Sequence, residues 1–336
     1  MIEKSVFTNK TISSIINRKY NIKINTIEKL NRGSANIYLI DKKYILKEFQ
    51  SKYSKEEIKK EIKIINHLRY DNIPVPEYIK TISGRYYFIY KGRIIILQKY
   101  VEGYTLDSNE GTYNQMIECA SYLGQIVLSL KTLKIDLPKN DVSSWFKDEK
   151  IEKSIDKHSL IISNASGKYK DKIKNDMLDK IDMLNSIKNK KIDNLDKITY
   201  MKTHGDYNVL QFIYKNNKIK CIIDFAAASF MPVVWEVIRS FSYIDSKSKD
   251  GDLDINNLRD YVKEFMKYIP LNKYDLKYMP YLYLIQILNS DYGYKQYIND
   301  NTKEELLKFG FYRTDLCRFL FNNASKISKM LENITN

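Results

Sequence analysis

Short runs of alternating hydrophobic and polar residues dominate the first hundred positions of the chain, and this alternation is typical of β-strands. Turn sequences rich in Gly, Asn, Asp and Lys separate the runs. The pattern therefore predicts a five-stranded antiparallel sheet. The five runs are INTIEKL (24–30), NIYLI (36–40), YILKEF (44–49), RYYFIYK (85–91) and RIIILQKYV (93–101).

One helix interrupts the strand pattern after the third run. Ser54 can cap its first turn, with Glu57 three residues later completing a capping box. The helix is predicted to continue to about Arg69, before Pro74 and Pro76. Its apolar stripe consists of Ile58, Ile62, Ile65 and Leu68.

The pattern changes to a helical one beyond Thr105. The apolar spacing indicates a small strand-rich lobe over residues 1–97, a hinge at 98–104, and a larger helical lobe over 105–336. This is an α+β organisation. Helices are predicted over 113–131, 235–243, 255–268, 276–288 and 303–307, and the polar segment 136–197 is expected to hold a loop and two lysine-rich helices.

Two carboxylates flank a further strand pair in the larger lobe. The stretch HGDYNVLQFIYKNNKIKCIIDFAAAS places Asp206 in a loop after His-Gly and Asp224 after an Ile-Ile strand. The segment 215–218, Lys-Asn-Asn-Lys, supplies a hairpin turn between them. Hairpin pairing is expected to bring the two acids close together. Such a pair suits phosphoryl transfer, in which one acid handles the attacking hydroxyl and the other holds the metal on the phosphates.

Charge and composition narrow the classes of partner and site that the chain can have. The formal net charge is +15, and the first 230 residues carry most of it, with 41 basic and 27 acidic residues. We interpret this as a solvated lysine-rich surface and do not expect nucleic acid as a partner, although a basic binding face stays open as an alternative. Three scattered cysteines and three scattered histidines exclude a disulfide framework and argue against a zinc site or a Ser-His-Asp hydrolase.

The compartment is predicted to be the cytoplasm, without a membrane anchor. The beginning of the chain, MIEKSVFTNKT, lacks the apolar core of a secretory signal. The longest apolar candidate, 221–235, is broken by Asp224 and Pro232.

The order of these features resembles the aminoglycoside phosphotransferase and choline kinase family, which has the protein-kinase-like two-lobe fold. The resemblance covers roughly residues 24–240 and is most specific at HGD (204–206) and IIDF (222–225). It implies a nucleotide-binding site in the first lobe. Lys47 would neutralise the α- and β-phosphates, with Glu61 as its ion-pair partner.

The same resemblance implies further nucleotide contacts. Gly33 and Ser34 would let backbone N–H groups approach the phosphates. The hinge would offer its backbone to the adenine edge, through Gln98, Lys99, Tyr100 and Val101.

The resemblance also assigns the chemistry. Asp206 would be the catalytic residue that accepts or orients the hydroxyl proton, with His204 bracing its loop. Asp224 would bind Mg²⁺ on the phosphates. Gln211 stands where the family usually has an asparagine as second metal ligand, and its amide oxygen is one methylene further from the backbone. Glu236, on a following helix, would brace the catalytic loop.

The implied function is ATP- or GTP-dependent phosphorylation of a hydroxyl on a small molecule. Aminoglycosides, choline-like cations, sugars and nucleosides all stay open as acceptors. The alternative is a kinase-fold binding or structural module with weak or no activity, similar to spore-coat kinase-like proteins. Gln211 is the residue that leaves this alternative open.

Overall fold

The computed structural model describes residues 3–30, 35–188 and 192–334. The chain divides into two units, each with its own core. The hinge predicted at 98–104 stays a prediction. The first unit consists of residues 1–105, 132–136 and 211–228, and the second of 106–131, 137–210 and 229–336.

The first unit contains the predicted five-stranded antiparallel sheet, with strand order β1-β2-β3-β5-β4. Alternating burial along β2 shows why this segment forms a strand, because every second side chain enters the core. The sheet prediction is confirmed. Its strands are β1 (Ile27–Leu30), β2 (Asn36–Ile40), β3 (Tyr44–Glu48), β4 (Tyr87–Tyr90) and β5 (Arg93–Lys99).

Two helices accompany this sheet. Helix α2 (Lys55–Tyr70) begins with the predicted Ser54–Glu57 capping box. Helix α1 (Asn9–Tyr20) was not predicted, although its signals are in the sequence. Thr8 caps it, and the buried side chains Ile12, Ile15 and Ile16 recur at helical spacing against the sheet core.

The predicted hairpin is present and belongs to the first unit. Strands β7 (Phe212–Lys215) and β8 (Lys218–Ile222) pair antiparallel. Asn216 and Asn217 form the turn with positive φ angles of 52° and 58°, which asparagine tolerates and which match the twist of a two-residue hairpin.

The second unit is mainly helical, as predicted. Helix α8 packs against both α6 and α10, and α4 packs against α5. The long continuation of α10 to Glu332, the short α9 and the strand pair β6–β9 were not predicted. Its elements are α3 (Tyr113–Thr132), α4 (Asp148–Asn164), α5 (Lys170–Ile187), β6 (Tyr200–Thr203), β9 (Ser229–Pro232), α6 (Val233–Ile244), α7 (Ile255–Met266), α8 (Lys273–Leu288), α9 (Tyr294–Asn299) and α10 (Glu304–Glu332).

The strand pair β6–β9 positions the loop that carries Asp206. Strand β6 ends at Thr203, directly before His204, and β9 leads into α6. Four residue pairs hold the two strands in antiparallel register. Among the described residues, no helix combines the length and the apolar character needed to cross a bilayer.

Candidate functional site

Lys47 and Glu61 form the ion pair that the sequence predicts. Lys47 lies on β3, where it is paired with Ile37 of β2 and Ile96 of β5. Its Nζ is 3.7 Å from Oε1 of Glu61 on α2. The Glu61 side chain is only 3% exposed, so its charge needs a partner in the protein, whereas Lys47 is 19% exposed and can also meet a ligand.

Tyr78 completes this cluster and was missed in the sequence. Its hydroxyl donates a hydrogen bond of 3.0 Å to Oε1 of Glu61. Burial raises the pKa of Tyr78 well above its ordinary value, and the charges of Glu61 and Asp224 raise it further. Tyr78 therefore stays a proton donor at physiological pH. No motif or spacing in the sequence marks this tyrosine.

Asp224 has a left-handed backbone, with φ 67° and ψ 62°. This conformation is uncommon for a residue other than glycine, and it occurs where the surrounding structure imposes it. Neighbouring bonds do so here: Ile222 N–H donates to the Pro74 carbonyl at 2.7 Å, and Ile223 N–H donates to the Gln211 carbonyl at 2.9 Å. The half-buried Asp224 is thus held at the end of β8, in the same unit as Lys47 and Glu61.

The side-chain oxygens of Asp224 and Gln211 suit a hard cation that takes its remaining ligands from water and phosphate. A carboxylate at Asp224 and an amide oxygen at Gln211 are the kind of ligand that Mg²⁺ takes, and Mg²⁺ usually completes its shell with water and phosphate oxygens. Within residues 3–30, 35–188 and 192–334, no group of three or more His, Cys, Asp or Glu side chains is arranged to hold a metal ion. Metal binding by Asp224 and Gln211 therefore requires the nucleotide, and it stays a prediction.

Some of the predicted nucleotide-binding positions lie outside the described residues, and others have backbone groups that are already hydrogen-bonded. Gly33 and Ser34 lie outside the described residues. In the hinge segment, Lys99 N–H donates to the Glu77 carbonyl at 2.9 Å and Tyr100 N–H donates to the Lys43 carbonyl at 2.8 Å. These two N–H groups are used within the first unit. Gln98 is part of β5 and is paired with Ile45 of β3, so recognition of an adenine edge by this segment stays a prediction.

In the second unit, the loop that carries Asp206 is held by its own side chains. The backbone N–H of Asp206 donates to Nδ1 of the fully buried His204 at 3.3 Å. Nδ2 of Asn208 donates to the Asp206 carbonyl at 2.8 Å and to its Oδ1 at 3.2 Å. His204 thus braces the loop as predicted, and Asn208 orients the carboxylate.

Glu236 on α6 braces the same loop from the other side. Its Oε1 accepts a hydrogen bond of 3.0 Å from the Tyr207 backbone N–H, and its side chain is fully buried. The Tyr207 hydroxyl donates to the Cys119 carbonyl at 2.8 Å. The bracing contact predicted for Glu236 is present.

Arg239 is the main site residue whose role the sequence did not reveal. Its Nη2 lies 2.5 Å from Oδ1 of Asp206, and its side chain is 14% exposed. Burial by itself would lower the pKa of Arg239, but nearby Tyr243 and Asp206 outweigh it, so the pKa lies above its ordinary value. The signal was present, because Glu236 and Arg239 are three residues apart and share one face of α6.

Comparisons with known proteins extend this description. No family model matches the sequence, and no curated protein matches it by sequence. Solved structures match over almost the whole chain. An aminoglycoside phosphotransferase from Alicyclobacillus acidocaldarius has a TM-score of 0.67 and 13% identity, with 97% of this chain and 98% of that chain covered.

Two further structures support the same fold. A spectinomycin phosphotransferase in complex with ADP and spectinomycin has a TM-score of 0.65 and 15% identity, with 98% and 99% of the two chains covered. A microcompartment-associated aminopropanol kinase has a TM-score of 0.61 and 14% identity, with 95% and 99% covered. The resemblance inferred from the sequence is thereby confirmed for the fold: the chain has the protein-kinase-like fold of these phosphotransferases.

Proposed function

We propose that the protein is a phosphotransferase that transfers the γ-phosphate of ATP or GTP to a hydroxyl group of a small molecule. The observation that carries this proposal is the Lys47–Glu61 ion pair, which the first unit holds together with Tyr78 and Asp224. A buried acid that positions a lysine, close to a second carboxylate, is an arrangement suited to binding nucleotide phosphates with their metal.

Each residue of the first unit has a defined task in this proposal. Lys47 donates to the phosphate oxygens, and Glu61 keeps its ammonium group in place. Tyr78 donates to Glu61 and so fixes the carboxylate that orients Lys47. Asp224 and Gln211 hold Mg²⁺, which, when bound, supplies charge neutralisation on the phosphates.

The second unit supplies the acceptor chemistry. Asp206 accepts or orients the proton of the acceptor hydroxyl. Its loop is fixed by His204, Asn208 and Glu236, so little reorganisation is needed at the moment of reaction. Arg239 holds one oxygen of the Asp206 carboxylate and so sets the direction in which the group faces the acceptor.

The structural neighbours support this class of reaction. Among the solved structures that match is a phosphotransferase whose complex contains ADP and spectinomycin, and another match is an aminopropanol kinase. Both are named as enzymes that phosphorylate a small molecule. We place the reaction in the cytoplasm, because the nucleotide donor is abundant there and the three cysteines are free thiols.

A second candidate function is a nucleotide-binding module without turnover. Gln211 favours it, because the longer amide replaces the expected metal ligand. The Arg239–Asp206 pair favours it too, because the acid proposed as base is already engaged by a cation.

Two experiments separate these functions. The first measures the thermal unfolding of the protein with Mg-ATP and with Mg-GTP, for the unmodified chain and for Asp224→Ala. We expect a rise in Tm with one nucleotide that is lost in the variant. Asp252→Ala, at an exposed loop position, is the matched control. An equal shift in Asp224→Ala would contradict nucleotide binding through a metal at this residue.

The second experiment measures turnover. Phosphate release is followed with ATP and GTP over a panel of acceptors that includes aminoglycosides, choline, sugars and nucleosides. We expect acceptor-dependent release that falls by at least about a hundredfold in Asp206→Asn. Nucleotide binding without release over the whole panel would favour the binding module.

A further inference from the structure

Aromatic side chains surround the arginine that holds Asp206. The guanidinium carbon of Arg239 lies 5.4 Å from the ring centroid of Trp235 and 5.0 Å from that of Tyr243. These distances are those of cation–π contacts. The candidate catalytic loop is therefore connected through Arg239 to an aromatic surface of the second unit.

This surface continues as a row of rings. The ring of Tyr243 lies 6.0 Å from that of Phe309 on α10, and Phe309 lies 6.0 Å from Tyr292 and 6.2 Å from Tyr312. The guanidinium of Arg313 lies 5.7 Å from the Phe309 ring. We call Tyr243, Phe309, Tyr292 and Tyr312 the aromatic row.

The aromatic row is partly open to solvent. Tyr292 is 43% exposed, and Tyr243 and Phe309 are half-buried. Rings that contact one another and still present their surface to solvent offer stacking positions for a flat ligand. Because Arg239 connects these rings to Asp206, we expect the acceptor to be the ligand that stacks on them.

The charges beside the aromatic row disfavour a cation. Arg239 and Arg313 both contact it. Two of the acids that follow α6, Asp245 and Asp254, are bonded within the protein itself. Asp245 accepts hydrogen bonds from Ser248 Oγ at 2.8 Å and Asn257 Nδ2 at 2.9 Å.

A second acid of that segment is engaged in the same manner. Asp254 caps α7 through the Asn257 N–H at 2.8 Å and accepts a hydrogen bond from Lys247 Nζ, also at 2.8 Å. A polycation such as an aminoglycoside would need acids that are available for pairing, and these two carboxylates are already bonded.

We propose that the acceptor is a hydroxyl compound with a planar aromatic ring and no positive charge, which stacks on the aromatic row while its hydroxyl faces Asp206. This rests on the proposed function for the hydroxyl and goes beyond it in naming the class of acceptor. Arg239 and Arg313 favour an anionic group on the same molecule.

The chain provides its own reporter for a binding test. It has two tryptophans, Trp145 and Trp235, whose rings lie 6.2 Å apart. Trp235 also contacts Arg239. Tryptophan fluorescence therefore reports on an acceptor that binds beside Arg239, without any need for turnover.

Three small probes of similar size separate the contribution of an aromatic ring to binding from the contribution of charge. The first is para-(hydroxymethyl)benzoate, an aromatic anion. The second is para-(hydroxymethyl)benzylamine, the matched aromatic cation, and the third is the cyclohexane analogue of the benzoate. Kanamycin serves as the polycation. We expect the benzoate to bind about tenfold more tightly than both the benzylamine and the cyclohexane analogue, and kanamycin to bind more weakly than the benzoate.

Two variants test the aromatic row. Phe309→Ala should weaken binding of the benzoate about tenfold, and Tyr292→Ala should weaken it in the same direction. Phe321→Ala is the matched control, because Phe321 lies on the same helix, is 36% exposed and should leave binding unchanged. Melting curves of each variant establish that it is folded.

The Tm shift with Mg-nucleotide is measured on the same samples. Equal binding of benzoate and benzylamine, tighter binding of kanamycin, or benzoate binding that Phe309→Ala and Tyr292→Ala leave unchanged would overturn the acceptor class. If Mg-nucleotide does not raise the Tm of the unmodified chain, the proposed function itself is overturned. Failure of the acceptor class and failure of the proposed function are therefore distinguishable.

Discussion

Replacing Asp206 by asparagine should destabilise the second unit as well as remove the proposed base. The Arg239 side chain is only 14% exposed, and its Nη2 lies 2.5 Å from Oδ1 of Asp206. Its Nη1 forms no hydrogen bond within the described part of the chain. Asp206→Asn therefore leaves a largely buried guanidinium without its ionic partner.

The magnitude follows from the exposure of the two side chains. Fully exposed ion pairs contribute about 0–1 kcal/mol, whereas removing one partner of a fully buried pair costs about 3–5 kcal/mol. Asp206 is 37% exposed, so solvent screens part of the interaction. We expect a loss of about 1–3 kcal/mol in the free energy of unfolding for Asp206→Asn.

Urea denaturation followed by circular dichroism measures this loss. The matched control is Asp252→Asn, at an exposed loop position, which should change the free energy of unfolding by less than about 0.5 kcal/mol. The double variant Asp206→Asn/Arg239→Met removes the orphaned charge and keeps an unbranched side chain between the neighbouring rings. It should recover most of the stability, with a coupling energy of about 1–3 kcal/mol in the double-mutant cycle.

Two outcomes would refute this reasoning. Asp206→Asn could unfold at the same urea concentration as the unmodified protein, or the double variant could be less stable than Asp206→Asn by the full cost of Arg239→Met. Either result would mean that the ion pair contributes nothing to the second unit. A loss of turnover in Asp206→Asn could then be assigned to chemistry alone.

Further predictions concern both units. Tyr78→Phe removes the donor to the buried Glu61 and should cost about 1–3 kcal/mol in urea denaturation, whereas Tyr70→Phe, at an 85% exposed position, should be neutral. An unchanged denaturation midpoint in Tyr78→Phe would show that the hydrogen bond is not stabilising. Burial, then the charge of Lys180, lowers the pKa of His158 from 6.5 to about 4. The unfolded chain therefore takes up this proton first, and stability is lost as the pH falls from about 6.5 towards 4, by up to about 3 kcal/mol. His158→Gln should remove this part of the pH dependence in urea titrations, and parallel curves for the two proteins would contradict the assignment. In the hairpin, Asn217→Val should cost about 1–2 kcal/mol because its φ is 58°, with Asn217→Gly nearly neutral; equal melting temperatures of the two variants would exclude strain at this turn.

Much of the fold could be predicted from local patterns. Strand β2 alternates buried and half-buried positions, and helix α2 carries its capping box in the sequence. The hairpin turn at Asn216 and Asn217 is specified by residues that accept a positive φ. These signals are short in range, so a single segment contains all the information that they need.

The elements that were missed depend on contacts between distant segments or on weak signals. Strands β6 and β9 have only four residues each and become strands because they pair with one another across the 25 intervening positions 204–228. Helix α1 is short, and its stripe is stabilised by the sheet core on which it packs. The sequence showed the residues but not these partners.

The sequence by itself determined the order of the candidate site residues and the hairpin turn at 215–218, because each follows from residue type and local spacing, whereas the Lys47–Glu61 pairing was implied by the family resemblance. Only the tertiary structure decided that Tyr78 donates to Glu61 and that Arg239 engages Asp206. Both contacts join side chains that are 17 and 33 positions apart in the chain. A buried charge takes whichever partner the packing brings within hydrogen-bond distance, and the local sequence does not encode that choice.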